Sequence, residues 1–172
     1  MKILLIDGNS VLFRAFYATS FSNIMKTSFG AYTNAVYAFA NMLNKAIKMV
    51  EPDYCCVAFD KGKATFRHQM TPDYKAGRKE TPVELVEQFG LVRDMLNAYN
   101  IKYLEYDEIE ADDIIGILAN KFKGDISIFS SDHDLFQLID DNKHIKICCM
   151  KKGMSDIGIL DEHALYAEYS LK

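Results

Sequence analysis

Two short β-type runs each hand over directly to an aspartate: Lys2 to Ile6 leads into Asp7-Gly8, and Tyr54 to Phe59 leads into Asp60-Lys61-Gly62. Between them Val36, Phe39, Ala40, Leu43, Ile47 and Val50 recur at helical spacing, so a long helix crosses from one strand to the other. Strand, helix and strand in that order form a βαβ unit and predict a parallel sheet. A parallel sheet restricts function as well as fold. In open α/β sheets, sites form beyond the carboxyl ends of the strands, where the loops converge on one crevice.

The rest of the chain repeats the arrangement. Thr81-Pro82-Val83-Glu84 predicts a helix start, with Thr81 as cap, Pro82 in the first turn and Glu84 completing a capping box, and the helix runs to about Tyr99. Ile101 to Leu104 reads as a short strand, after which Glu110, Asp112 and Asp113 open a helix with Ile114, Ile117 and Leu118 on its apolar face. Ile126 to Phe129 leads into Ser130-Ser131-Asp132-His133-Asp134 and a helical run from Leu135 to Ile139. His144 to Met150 reads as a further strand, Lys151-Lys152-Gly153 as a turn, and Asp161 as the cap of a last helix. Lys61 to Lys79 lacks periodicity and sets Lys61, Lys63, Arg67, Lys75, Arg78 and Lys79 against the single acid Asp73, the pattern of a mobile basic loop.

With 172 residues, 49% of them hydrophobic, the chain can bury one sizeable core, so residues 1–172 are read as a single domain. A net charge of −4 would oppose a nucleic-acid partner if it were spread evenly, but here acids and bases are segregated. No run approaches the roughly 20 apolar residues of a membrane span, and the amino terminus lacks a signal-peptide pattern, which predicts a cytoplasmic protein. The cysteines form two adjacent pairs, Cys55-Cys56 and Cys148-Cys149, each within an apolar strand-like run. Neighbouring side chains of a strand point to opposite faces, so neither pair suits zinc.

Asp7, Asp60, Glu110, Asp112, Asp113, Asp132 and Asp134 all stand beyond strand ends. Each has an ordinary explanation: Asp7-Gly8 as a turn, the acids from Glu110 as a first helical turn favoured by the helix dipole, Asp132 and Asp134 as caps. A basic run, likewise, is commonly a solvated surface. The combination points elsewhere, because every strand-to-helix junction of the series offers acids and none offers a nucleophile paired with histidine. Carboxylates gathered without cations raise one another's pKa, and oxygen ligands in such density suit magnesium or manganese. Two such ions about 4 Å apart promote phosphodiester hydrolysis. The basic loop would then neutralise a nucleic-acid backbone, with Tyr74 placed to stack on an unpaired nucleotide or to pack the loop, and Phe66 read as packing.

Asp7-Gly8-Asn9-Ser10 with Arg14, Thr33-Asn34-Ala35-Val36-Tyr37, Asn41-Met42-Leu43, Phe59-Asp60, Thr65-Phe66-Arg67, Tyr74-Lys75-Ala76-Gly77-Arg78 and Glu110-Ala111-Asp112-Asp113 together resemble the 5'-nuclease family. The likeness is nearest to the amino-terminal 5'-3' exonuclease domain of bacterial DNA polymerase I and its flap-endonuclease kin. It implies a PIN-like, resolvase-like three-layer α/β/α fold with a mainly parallel central sheet and a flexible basic arch over about residues 61–80. It also implies a divalent-metal 5'-3' exonuclease or flap endonuclease of replication and repair, acting on DNA with a free 5' end or 5' flap in the bacterial nucleoid. By the same likeness Asp7, Asp60, Glu110, Asp112, Asp113, Asp132 and Asp134 match metal-site acids, two ions in the complete site. Lys75 and Arg78 match catalytic arch residues at the scissile phosphate; Arg14, Arg67 and Tyr74, with Lys75 and Arg78, are DNA-binding candidates. The sequence departs from the family at Ala38 and at Ser131, both usually glycine. It also stops before the helix-three-turn-helix region that grips duplex DNA and adds two aspartates, which marks a fragment of a longer protein, with a linked polymerase domain as a possible neighbour. A PIN-type ribonuclease and a non-catalytic DNA-binding domain are the two competing expectations.

Overall fold

The computed structural model describes residues 1–21, 25–62, 80–151 and 156–169. Alternation along the first strand, β1 (Lys2–Asp7), sets the two sides of the molecule: Leu4 and Ile6 face one core, Ile3 and Leu5 the other. Chain order then continues through α1 (Gly8–Thr19), α2 (Asn34–Val50), β2 (Tyr54–Ala58), α3 (Val83–Ala98), β3 (Lys102–Leu104), α4 (Ala111–Lys121) and β4 (Asp125–Phe129). It ends with β5 (Ile145–Met150), β6 (Ile157–Leu160) and α5 (Glu162–Tyr169). The strands form one six-stranded sheet in the order β3-β2-β1-β4-β5-β6, parallel except for the antiparallel pairing of β6 with β5. Helices α1, α2 and α3 fill one side with Leu12, Phe16, Phe39, Leu43, Leu85 and Val92. Helix α4 covers the other with Ile114, Ile115 and Ala119. The result is the expected three-layer α/β/α architecture around a mainly parallel sheet.

Because β2 and β3 extend the sheet one way from β1 while β4 and β5 extend it the other way, the chain reverses direction at β1 and β4. Loops leaving these two strands diverge and open a crevice between them.

Several local expectations are revised. The segment after Asp7 is not a turn leading to one long helix; it is a separate 12-residue helix, α1, with Asp7 as its N-cap. Thr81 does not cap α3, because Pro82, at ψ 138°, is still extended, and it is the Pro82 carbonyl that accepts from Leu85 and Val86. The run after Asp134 winds as a 3-10 turn, His133–Leu138. Strand β6 was not anticipated, whereas Asp161 does cap the last helix, accepting from the Ala164 amide at 2.8 Å. Most of the basic loop, residues 63–79, and the Lys152-Gly153 turn lie outside the described residues. The cysteine pairs split between opposite faces of the sheet as expected. Burial pushes the thiols of Cys55 and Cys148 up to about 12 and about 11, which leaves them unreactive. Among the described residues no helix is long and apolar enough to cross a membrane.

One buried polar network locks the three helices of the first face. Thr33 provides α2 with no side-chain cap; instead Gln88 of α3, fully buried, accepts from the amides of Ala35 (2.8 Å) and Val36 (3.2 Å). Its amide nitrogen donates to Asn34 Oδ1 (3.0 Å) and the Glu84 carbonyl (2.8 Å). Asn34 in turn donates to Thr19 Oγ1 at the end of α1 (2.9 Å). Replacing Gln88 by leucine keeps the volume but strands two helix-terminal amides and a side-chain carbonyl in a dry core. The expected loss is roughly 2–4 kcal/mol, read as a lower urea midpoint with unchanged slope; an unchanged midpoint would contradict this account.

Candidate metal centre

The acids reach the crevice because each is fixed by its own strand end. Asp7 closes β1 and caps α1: one oxygen accepts from the Ser10 amide (2.9 Å), the other from Ser130 Oγ beyond β4 (2.8 Å). Next to it, Gly8 is required by packing, since a Cβ there would lie 2.4 Å from the Phe59 ring. That close approach lets the fully buried Phe59 anchor the end of β2 directly beneath α1, so that Asp60 emerges beside Asn9. Asp60 and Asn9 hold each other: Asn9 Nδ2 donates to Asp60 Oδ2 (3.1 Å) and the Asp60 amide donates to Asn9 Oδ1 (3.2 Å).

The other Asp60 oxygen accepts from the Ala111 amide at 2.7 Å, capping α4 from a different strand. Glu110 occupies the N-cap position without a side-chain cap bond and is itself buried. Glu110 lines the crevice, while Asp112 and Asp113 follow in the first turn, where the helix dipole favours negative charge. At the end of β4, Ser130 Oγ accepts from the Asp132 amide (3.0 Å), and the Ser131 amide donates to Ser10 Oγ (3.2 Å). Asp132 then caps the 3-10 turn by accepting from the Asp134 amide (3.0 Å).

These elements enclose a cavity of about 490 Å³ whose walls carry five carboxylates, Asp7, Asp60, Glu110, Asp112 and Asp132. Asp134, exposed at the rim, completes a tighter group: oxygens of Asp112, Asp132 and Asp134 all lie within 4.8 Å of one another. Burial and then the charges of Asp7, Asp132, Asp60 and Glu110 push Asp112 up to about 7. Burial, reinforced by Asp60 and Asp132, pushes Asp7 up to about 6 against the lowering effect of its bonds from Ser10 and Ser130. An all-oxygen donor set whose members cannot all ionise unaided is chemically matched to a hard divalent cation.

Of the sequence-predicted residues, six acids thus come together. Asp113, half-buried one residue along α4, is not part of the cavity lining. Arg14, on α1, donates from Nη1 to Ser131 Oγ at 3.3 Å, and its buried Nε meets no partner among the described residues. Arg67, Tyr74, Lys75 and Arg78 lie outside the described residues. Sequence reasoning did not give Asn9, Ser10, Ser130 and Ser131 their part in holding the acids, nor place Phe13 and His133 in the cavity wall. The available signal was confined to two of the acids, Asp7 followed by Asn9 and Ser10 and Asp132 preceded by Ser130 and Ser131, short polar side chains able to bond backbone amides.

A family model described as the 5'-3' exonuclease, N-terminal resolvase-like domain matches residues 2–170. DNA polymerase I of Bacillus caldotenax is 44% identical over 173 residues, covering 99% of this chain and 19% of that protein. DNA polymerase I of Bacillus subtilis is 41% identical over the same shares. The chain therefore spans about a fifth of the length of the curated relatives it matches. Among solved structures, T5 5'-exonuclease with bound divalent metal ions (zinc) superposes with a TM-score of 0.70 at 20% identity, over 99% of this chain and 62% of that one. Flap endonuclease-1 from Methanococcus jannaschii superposes with a TM-score of 0.57 at 16% identity, over 99% and 60%. At such identities these two likenesses concern the fold. The near-complete family match and the relatives above 40% identity establish descent as well, and the chain belongs to the family of 5'-3' exonuclease N-terminal, resolvase-like domains.

Proposed function

We propose that this chain is the catalytic domain of a magnesium- or manganese-dependent 5'-3' exonuclease and flap endonuclease, hydrolysing DNA phosphodiester bonds near a free 5' end. The observation that carries this function is the convergence of carboxylates from separate strand ends on one cavity, with Asp7 and Asp112 pushed up to about 6 and about 7. Asp112, Asp132 and Asp134 would hold one cation, and Asp7, Asp60 and Glu110, which line the same cavity, would contribute to holding a second. When bound, such ions make a water more acidic and offset the charge that develops on the phosphoryl oxygens. The protein's own contribution is rigidity: Ser10 and Ser130 fix Asp7, while Asn9 and the Ala111 amide fix Asp60, so little reorganisation accompanies reaction.

Among the described residues the buried Nε of Arg14 meets no acceptor, and a phosphate oxygen of the DNA would supply one. Arg67, Tyr74, Lys75 and Arg78 are assigned to the arch on family likeness, the last two to the scissile phosphate, as is Asp113 to the metal site. The relatives' name points to a polymerase domain linked to this one in a longer bacterial protein that works on chromosomal DNA.

The direct test is cleavage of a 5'-labelled flap DNA, beside RNA of the same sequence, with magnesium or manganese. Metal-dependent cutting of the DNA is expected, and preference for the RNA would favour a ribonuclease instead. Asp112→Asn should slow cutting on the order of a hundredfold or more; undiminished cutting would overturn the assignment of this residue.

The same variant yields a second expectation from linkage. An acid whose folded-state pKa is raised keeps its proton in the native state after the unfolded chain has released it, so stability falls as pH rises from the unfolded value, 3.8, through about 7 for Asp112. Between pH 4.5 and 7.5 without metal, the unaltered chain should therefore lose stability more steeply than Asp112→Asn, by a difference on the order of one to a few kcal/mol. Added manganese should raise the melting temperature of the unaltered chain at pH 7.5 and do so less in the variant. Parallel pH profiles for the two proteins, followed by chemical denaturation, would contradict the charge crowding.

A further inference from the structure

We infer that His133 is a positioning residue for the metal-binding turn, acting through the face of its ring rather than through its nitrogens. His133 stands between Asp132 and Asp134 and lines the acid cavity, the place where an imidazole would ordinarily be taken for a ligand. Yet the only set of clustered ligand atoms among the described residues comprises Asp112, Asp132 and Asp134, and no His133 nitrogen joins it. The imidazole instead stacks on Phe136, with ring centres 4.8 Å apart and planes 27° from parallel. In a 3-10 turn, residues three apart eclipse, so the stack follows from the backbone that carries both acids.

Tyr169 of α5 closes this pair from outside, edge-on to His133 at 5.9 Å and to Phe136 at 6.0 Å. A 3-10 turn has weak hydrogen-bond geometry of its own and cannot hold two carboxylates against their mutual repulsion. The three rings supply the missing stiffness and tie the turn to the last helix of the fold. Rotation of the turn about its axis would carry the stacked His133 and Phe136 rings together off Tyr169, so the orientation of Asp132 and Asp134 is coupled to that contact.

This inference rests on the metal reading of the acid cluster and is tested by titrating manganese into the metal-free chain by calorimetry, with no turnover required. His133→Ala and Tyr169→Leu should each weaken manganese about threefold to tenfold. His133→Phe, which keeps the ring and removes both nitrogens, should bind within about twofold of the unaltered chain. Unchanged affinity in His133→Ala or in Tyr169→Leu overturns the inference while leaving the metal site standing. Equal weakening in His133→Phe and His133→Ala also overturns it, by making the imidazole a ligand. No manganese binding by the unaltered, folded chain removes the metal reading and the inference together. Alanine and leucine act from opposite sides of the same contact, so if one variant fails to fold the other decides the matter.

Discussion

Repulsion among the acids of one crevice is the constraint on which the rest of the structure depends. Two unit charges 4 Å apart at an effective dielectric of 20 repel by about 4 kcal/mol, whereas a single intramolecular hydrogen bond contributes about 1 kcal/mol net. No individual contact in the cavity can therefore hold its carboxylates together. They stay because each hangs from a different strand or helix end whose backbone is committed to the sheet or the layers around it. The structure relieves part of the strain by leaving Asp7 and Asp112 reluctant to ionise, at about 6 and about 7.

Topology supplies those anchor points. The bond from Ser130 to Asp7 joins residues 123 apart in sequence, and it is short only because β1 and β4 are neighbours at the place where the sheet reverses. On the other flank, Phe59 binds the end of β2 to α1 through the space left by Gly8, and Arg93 of α3 lies 4.8 Å over the same ring. Arg93 also pairs with Glu105 just beyond β3, at 2.6 Å with both side chains largely buried. A largely buried, two-bonded Arg–carboxylate pair of this kind holds geometry better than an exposed ion pair. The acids are thus placed by packing and long-range bonds on both sides of β1, and the Gln88 network keeps the helices of that face in register with one another.

What the sequence made legible follows from the range over which each feature is encoded. Strands ending in acids are local patterns, and the parallel sheet and a gathering of seven acids could be read from them, six of which do come together, whereas the three layers were implied only by the family resemblance. Helix α1 was also locally encoded, in the spacing of Val11, Leu12, Ala15 and Phe16, but Asp7-Gly8-Asn9-Ser10 has the composition of a turn and masks a cap. Strand β6 carries a glycine in four residues and becomes a strand only by pairing with β5, which no local pattern reports. Asp112 and Asp113 differ by about 100° around the helix axis, so choosing which one faces the cavity needs the roll of α4, a property of packing. The partners of Asp60 and Asp7 are long-range by 51 and 123 residues, and for that reason Asn9 and Ser130 looked like ordinary turn residues.

The charge pattern, finally, implies an order of events for the proposed function. A net charge of −4 with five carboxylates lining one cavity sets up a field that repels a phosphodiester at the very place where it would be cut. The bases between Lys61 and Lys79, which begin one residue after Asp60 in the sequence, can attract a polyanion but do not change the charge that the acids carry. Only cations seated among the acids can do that, and they would at the same time cancel the repulsion that the protein itself contains. Stability of the site and admission of the substrate therefore depend on the same bound charge. Under the proposed function, metal-free protein should consequently hold DNA by its lysines and arginines alone, with the scissile phosphate kept out until the cavity is filled.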